Sequence, residues 1–131
     1  MTTGIAAICV LATLVLGLGI NVSRLRGRRQ STGGSQFPTD PGDELFKAVR
    51  AHANACEYVP VLAVLILIDT TRDPAAWVLA VTVGATAARL LHAYAMLTSP
   101  TLQRQTGLRL VGAAATYLSG LVLVAAALTT V

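Results

Sequence analysis

Charged side chains are scarce in this sequence, and so are aromatic residues and cysteines. Only 12% of the 131 residues are Asp, Glu, Lys or Arg, aromatic residues make up 5%, and the mean hydropathy is +0.66. Such a composition is typical of membrane proteins and leaves no material for a separate soluble domain. The two cysteines, Cys9 and Cys56, both fall inside apolar segments, so we expect neither a disulfide framework nor a bound metal.

Four apolar segments account for nearly the whole chain. Each is near the ~20 residues that an α-helix needs to cross the ~30 Å hydrocarbon core of a bilayer. We therefore expect an all-α fold, an integral membrane four-helix bundle that forms one domain. The N-terminus has neither a basic leader nor a small-residue cleavage site, so we expect the first helix to be retained. The predicted helices cover residues 4–22, 44–69, 75–97 and 108–130.

Basic residues are distributed unevenly among the connecting segments. Residues 23–43 hold four arginines followed by a Ser, Thr, Gly and Pro-rich stretch, which predicts a polar loop. Arg104 and Arg109 flank the start of the fourth helix, whereas the connection between the second and third helices holds one arginine and two aspartates. By the positive-inside rule, the first and third connections face the cytoplasm and both termini lie outside. The net charge of +4 is thus explained by topology, and we expect no nucleic-acid partner.

Polar side chains interrupt the second apolar segment along one face. Arg50, Asn54 and Glu57 follow the i, i+4, i+7 spacing of a single helix face. Glu57 lies ~16 Å from Ile68 at the end of the helix, close to mid-membrane. An ionisable group at that depth costs roughly 2.5–3.5 kcal/mol on insertion scales, which marks a functional site. Pro60 removes one backbone donor and can open a carbonyl above Glu57.

The third apolar segment carries its own ionisable residues, Arg89 and His92. Measured from Ala75, Arg89 lies ~21 Å into the bilayer, at a depth similar to that of Glu57. Pairing Glu57 with Arg89 would cancel two otherwise unpaired charges, and we predict this ion pair. Tyr94 is turned to one side of the same face.

The cytoplasmic ends of the helices are therefore expected to form a polar pocket with excess positive charge. Arginines suit carboxylates, Glu57 suits an ammonium group and Asn54 suits an amide, so the pocket fits a small anionic or zwitterionic ligand. A purely structural role for Glu57 and Arg89 is the alternative, but the cations outnumber what one carboxylate balances. A proton or ion conductor is disfavoured because no ionisable groups continue into the outer half of the bundle. The pocket residues are Arg24, Arg26, Arg50, His52, Asn54, Glu57, Tyr58, Arg89, His92, Arg104 and Arg109.

These motifs resemble those of one family of membrane proteins. The second helix carries Arg50-x3-Asn54-x2-Glu57-Tyr58-x-Pro60, the third Arg89-x2-His92 and the fourth Arg109-x2-Gly112-x3-Thr116. In these positions they resemble the MAPEG family, the membrane-associated proteins of eicosanoid and glutathione metabolism, and its small bacterial members most. The resemblance covers nearly the whole chain. It implies a homotrimer in a bacterial inner membrane, with glutathione as co-substrate between neighbouring subunits near the cytoplasmic face.

The resemblance also implies roles for individual residues. An arginine at the cytoplasmic start of the fourth helix would be catalytic, either Arg109 by its motif or Arg104 by its distance from Arg89. Its guanidinium would lower the pKa of the thiol from about 8.5 toward neutrality, because the thiolate is the nucleophile. Glu57 would bind the amino group of glutathione and Arg24 a terminal carboxylate. The implied glutathione-binding residues are Arg24, Arg50, Asn54, Glu57, Tyr58, Arg89, His92 and Tyr94.

The expected function is a membrane-bound glutathione transferase, with peroxidase-like activity on lipid hydroperoxides as an extension. It would activate the glutathione thiol for attack on small lipophilic electrophiles that arrive through the bilayer, without a metal. Several eicosanoid-making members have a tyrosine where this chain has Met96, which argues against eicosanoid-specific chemistry. Met96 also favours the alternative, a non-catalytic thiol-binding or structural membrane protein of the same fold.

Overall fold

Four long α-helices form the chain: α1 (Thr2–Ser31), α2 (Glu44–Thr70), α3 (Ala76–Thr98) and α4 (Gly107–Thr129). The computed structural model describes residues 1–129, and within that range it contains no strand. All four helices are long and apolar enough to cross a membrane. The predicted all-α, integral membrane four-helix bundle is therefore confirmed. The predicted end of the fourth helix, residue 130, lies outside the described residues.

The first helix is much longer than predicted. It continues through the four arginines to Ser31, so the prediction that residues 23–31 are loop was wrong. Arginine and leucine are good helix formers, and neither they nor the single Gly27 stops a helix that has already started. The helix ends at Ser31; just beyond it Gly33 has a positive φ of 71°, and the N–H of Gly34 bonds back to the carbonyl of Arg29 at 2.9 Å.

Asp43 begins the second helix and ties it to the first. Its carboxylate caps α2 by accepting the backbone N–H groups of Leu45 at 2.8 Å and Phe46 at 3.1 Å. The guanidinium of Arg29, in the extension of α1, donates to the same carboxylate. Burial alone would raise the pKa of Asp43, but the bonds from Arg29 and the helix N–H groups outweigh it and lower the pKa.

α2 and α3 occupy the middle of the bundle. Both contact α1 and α4, whereas α1 and α4 do not contact each other within the described residues. α3 and α4 cross with their backbones close together, because a Cβ added at Gly112 would lie 2.9 Å from the backbone of His92. Small residues at this crossing bring the polar residues of α3 next to the start of α4.

The outer surface of the bundle is apolar. Large aliphatic side chains such as Leu16, Ile20, Val61 and Leu121 are exposed along three different helices. A surface of this kind requires lipid or a neighbouring membrane protein around it. The chain is therefore an integral membrane protein, and its assembly into a trimer stays a prediction.

Candidate functional site

A cavity of about 350 Å³ opens at one end of the bundle, the end predicted to face the cytoplasm. α2 contributes Arg50 and Asn54, which share a face because they are four residues apart. α3 contributes His92, and α4 contributes Arg109. The sequence reasoning placed all four of these side chains in one pocket, and the structure brings them together. The remaining lining residues are Pro41, Phe46, Met96, Leu102 and Gln103.

Arg109 is held in place by the loop that precedes α4. Its Nη1 donates to the carbonyl of Arg104 at 2.8 Å and to that of Leu102 at 3.2 Å. Its Nε is buried and has no hydrogen-bond partner within residues 1–129. The side chain of Arg104 is exposed and is not part of the cavity lining. Of the two arginines that the sequence left open, Arg109 is thus the one at the cavity.

His92 is oriented by the main chain of α4. Its Nδ1 lies 3.0 Å from the main-chain oxygen of Arg109, and since a carbonyl only accepts, Nδ1 carries the donated proton. The close crossing at Gly112 makes this contact feasible. In the neutral ring the other nitrogen, Nε2, is then the acceptor.

Arg89 lies directly behind the cavity. It is only 1% exposed, and its Nη2 donates to Oδ1 of Asn54 at 2.7 Å. Its guanidinium carbon also lies 5.1 Å from the centre of the Tyr58 ring, within cation–π range. Arg89 therefore fixes the orientation of Asn54, a cavity residue, instead of lining the cavity itself.

The predicted ion pair between Glu57 and Arg89 is wrong within this single chain. The guanidinium of Arg89 is bonded to Asn54, and Glu57 is exposed. Glu57 is rotated by about 60° from Asn54 around the helix axis, because residues of an α-helix are spaced at 100°. That rotation turns the carboxylate away from α3 while it keeps the amide facing it.

Tyr117 on α4 was not identified from the sequence. Its hydroxyl lies 2.9 Å from the hydroxyl of Tyr58, and the two ring centres are 5.5 Å apart. Both rings sit at an apolar groove of about 400 Å³ between α2 and α4, with Leu62 and Leu121 among its walls. The available signal is a single tyrosine in a helix made mostly of small and aliphatic residues.

The other predicted site residues lie outside the cavity lining. Arg24, Glu57, Tyr94 and Arg104 are exposed. Arg24 donates to Oδ1 of Asn21 at 2.9 Å, one turn earlier on α1. Their roles at a site between subunits stay predictions.

The chain was also compared with known proteins. The MAPEG family model matches residues 4–129, nearly the whole chain. Searches of curated proteins and of solved structures gave no match.

Proposed function

Because this chain belongs to the MAPEG family, as its motifs predicted, we propose that it binds glutathione in the cavity between α2, α3 and α4. Membership of the family suggests a role in glutathione or eicosanoid metabolism. The charge of the cavity supports the first of these. Its described lining combines two guanidinium groups, two amides and an imidazole with no carboxylate. Glutathione carries a carboxylate at each end, and arginines bind carboxylates with paired, charge-assisted hydrogen bonds.

Arg109 is the residue that we propose activates the thiol. A guanidinium near the sulfur lowers the pKa of a thiol from about 8.5 toward neutrality and so raises the thiolate fraction at physiological pH. The thiolate then attacks the electrophilic carbon, and a sulfur–carbon bond forms as the bond to a leaving group such as a halide breaks and the leaving group departs with its electron pair. At an activated double bond the π bond opens instead, and the neighbouring carbon takes a proton from water. Catalysis on this scheme consists of positioning and thiolate stabilisation, and it uses no metal.

The apolar groove between α2 and α4 supports a lipophilic second substrate. It opens along the membrane-embedded part of the bundle, and Tyr58 and Tyr117 stand at its wall. Tyr58 contacts Arg89, and Arg89 bonds to Asn54 in the polar cavity. A molecule dissolved in the bilayer would therefore enter the groove without crossing water, and this contact chain separates it from the polar cavity.

The experiment that tests this proposal is a titration of detergent-purified protein with glutathione, followed by the ultraviolet absorbance of the thiolate. We expect the wild type to generate thiolate, Arg109→Ala to abolish it and Arg104→Ala to retain it. The opposite result for the two variants would move the activating role to Arg104. No thiolate with the wild type would contradict the proposal. Thiolate without conjugation of any lipophilic electrophile tested would favour the non-catalytic alternative, in which Met96 leaves the site incomplete.

A further inference from the structure

A second cavity, of about 240 Å³, lies at the other end of the bundle, where α2 ends and α3 begins. Its polar and aromatic walls are formed by Asp69, Arg72, Asp73 and Trp77. None of these residues belongs to the proposed glutathione site. We call this space the outer cavity.

Asp69 gives the outer cavity a buried hydrogen-bond acceptor without a partner. The residue is 5% exposed, and its Oδ2 is buried without a hydrogen-bond partner in the described part of the chain. Buried carboxylates are stable only when donors or positive charges surround them. Asp69 stands in the last turn of α2, where the helix dipole is negative and offers no N–H group. Residues 1–129 therefore do not supply a hydrogen bond to this oxygen, and a bound cationic donor would.

The composition of the walls indicates what kind of cation fits. Asp69 and Asp73 face one guanidinium, that of Arg72, which donates to the carbonyl of Ala127 on α4 at 3.0 Å. Within residues 1–129 no three Asp, Glu, His or Cys side chains gather to hold a metal ion, whereas hard metal ions need several oxygen ligands. Trp77 is 53% exposed and offers an aromatic face, which attracts organic cations. A carboxylate beside an indole suits an alkylammonium group.

We propose that the outer cavity binds a primary ammonium group, which donates an N–H to Oδ2 of Asp69 and packs its methylene groups against Trp77. The unpartnered oxygen requires a donor, so a quaternary ammonium satisfies the charge but not the hydrogen bond. The cavity lies at the ends of two membrane-spanning helices, and tryptophan is enriched at that level of the bilayer. An aminophospholipid headgroup is the nearest source of such a group, and a small soluble amine shares the same chemistry.

Trp77 makes the proposal directly measurable, because it is the only tryptophan in the sequence. We would titrate the purified protein with glycerophosphoethanolamine and with a short-chain phosphatidylethanolamine, and follow the tryptophan fluorescence. Each probe has a choline counterpart that carries the same phosphate but no N–H donor. We expect the ethanolamine probes to saturate at concentrations about tenfold or more below their choline counterparts, since a charged hydrogen bond is lost.

Binding of the lipid probe alone would identify the headgroup as the source, and binding of both probes would include soluble amines. Equal responses to ethanolamine and choline probes, or none at all, would overturn the proposal. Asp69→Asn should remove the preference for ethanolamine, whereas Glu44→Gln, an exposed carboxylate at the other end of α2, should keep it. The wild-type titrations decide the question even if Asp69→Asn fails to fold.

Discussion

Arg89 is the largest fully buried side chain among residues 1–129, and no carboxylate of the described chain forms an ion pair with it. Replacing it with methionine keeps most of the volume and removes a charge that is costly inside a membrane bundle. We therefore expect Arg89→Met to unfold at an equal or higher temperature than the wild type, with a gain of up to about 4 kcal/mol. Glutathione binding should weaken about tenfold or more, because Asn54 loses the donor that orients it.

The matched variant is Asn54→Ala, which keeps the charge of Arg89 and removes its acceptor. It should lower the stability by about 1–3 kcal/mol, the usual effect of leaving a buried charged donor unpaired. Thermal unfolding in detergent and the glutathione titration measure both variants. If Arg89→Met is instead strongly destabilised while glutathione binding persists, Arg89 is a structural lock and not part of the binding machinery.

Individual contacts were the least predictable feature of the site. Depth along each helix follows from residue counts, and this correctly placed Arg50, Asn54, His92 and Arg109 at one end. Rotation about the helix axis depends on how two helices pack, and a sequence alone does not fix it. Glu57 and Arg89 therefore matched in depth but do not pair, and the amide of Asn54 is the partner instead.

Among the elements, the crossing of α3 and α4 depends on Gly112. A Cβ added there would lie 2.9 Å from N, Cα and Cβ of His92, so two backbones would have to separate. We expect Gly112→Ala to destabilise the bundle by about 1–3 kcal/mol, as overpacking of a tight core does. It should also weaken glutathione binding, since His92 would shift from the carbonyl of Arg109.

The control for this substitution is Gly84→Ala on α3, where an added Cβ meets nothing within 4 Å. Thermal unfolding should show no loss for that variant, because alanine is the better helix former. Equal losses of stability for Gly112→Ala and Gly84→Ala would mean that the effect comes from reduced helix flexibility and not from the close crossing of α3 and α4.

The stability contributed by the junction between α1 and α2 is expected to depend on pH. Asp43 has a pKa below its ordinary value of 3.8 in the folded chain, so its contribution is present above about pH 4 and is lost as the pH falls through the lowered value. Asp43→Ala should lose about 0.5–2 kcal/mol of stability near neutral pH, the effect of removing a helix cap. Near pH 3 the difference from the wild type should shrink.

Asp40→Asn serves as the control, since Asp40 is an exposed residue of the same loop and does not cap α2. Its unfolding temperature should follow that of the wild type at each pH. A difference between Asp43→Ala and the wild type that stays constant down to pH 3 would contradict the ionic contribution of Arg29.

Element boundaries were predictable where composition changes sharply and uncertain where it changes gradually. Asp43 is a strong start signal for α2, because its short side chain caps the backbone N–H groups of the residues that follow it directly in the sequence. The end of α1 has no such signal at the membrane surface, since hydropathy reports the bilayer boundary and not the helix boundary. α1 therefore leaves the apolar range at Val22 and continues as a helix to Ser31.

At the scale of the whole molecule, some residues of the predicted site lie away from the cavity of the single chain. Arg24 is exposed on α1, whereas Arg50 lines the cavity between α2, α3 and α4. A symmetric trimer with one site at each subunit contact would bring Arg24 of one subunit to the cavity of the next. The trimer stays a prediction, because the geometry of a contact between subunits is a property of the assembly and not of a single chain.

Subunit mixing tests the trimer and the shared site together. Arg24→Ala and Arg50→Ala homotrimers should each lose most glutathione binding, because every site lacks one arginine. Co-expressed with two different tags and purified on both, the mixed trimers should recover binding at about one third of the sites, because one of the three contacts in each mixed trimer joins an intact Arg24 to an intact Arg50. The glutathione titration counts these sites, and a second mixture, Arg50→Ala with Asn54→Ala, is the control. Both of those residues lie on α2 in the same cavity, so that mixture should recover nothing. If neither mixture recovers glutathione binding, Arg24 and Arg50 of the same subunit form each site. In that case every subunit of the mixture lacks one of the two arginines, and no site is complete.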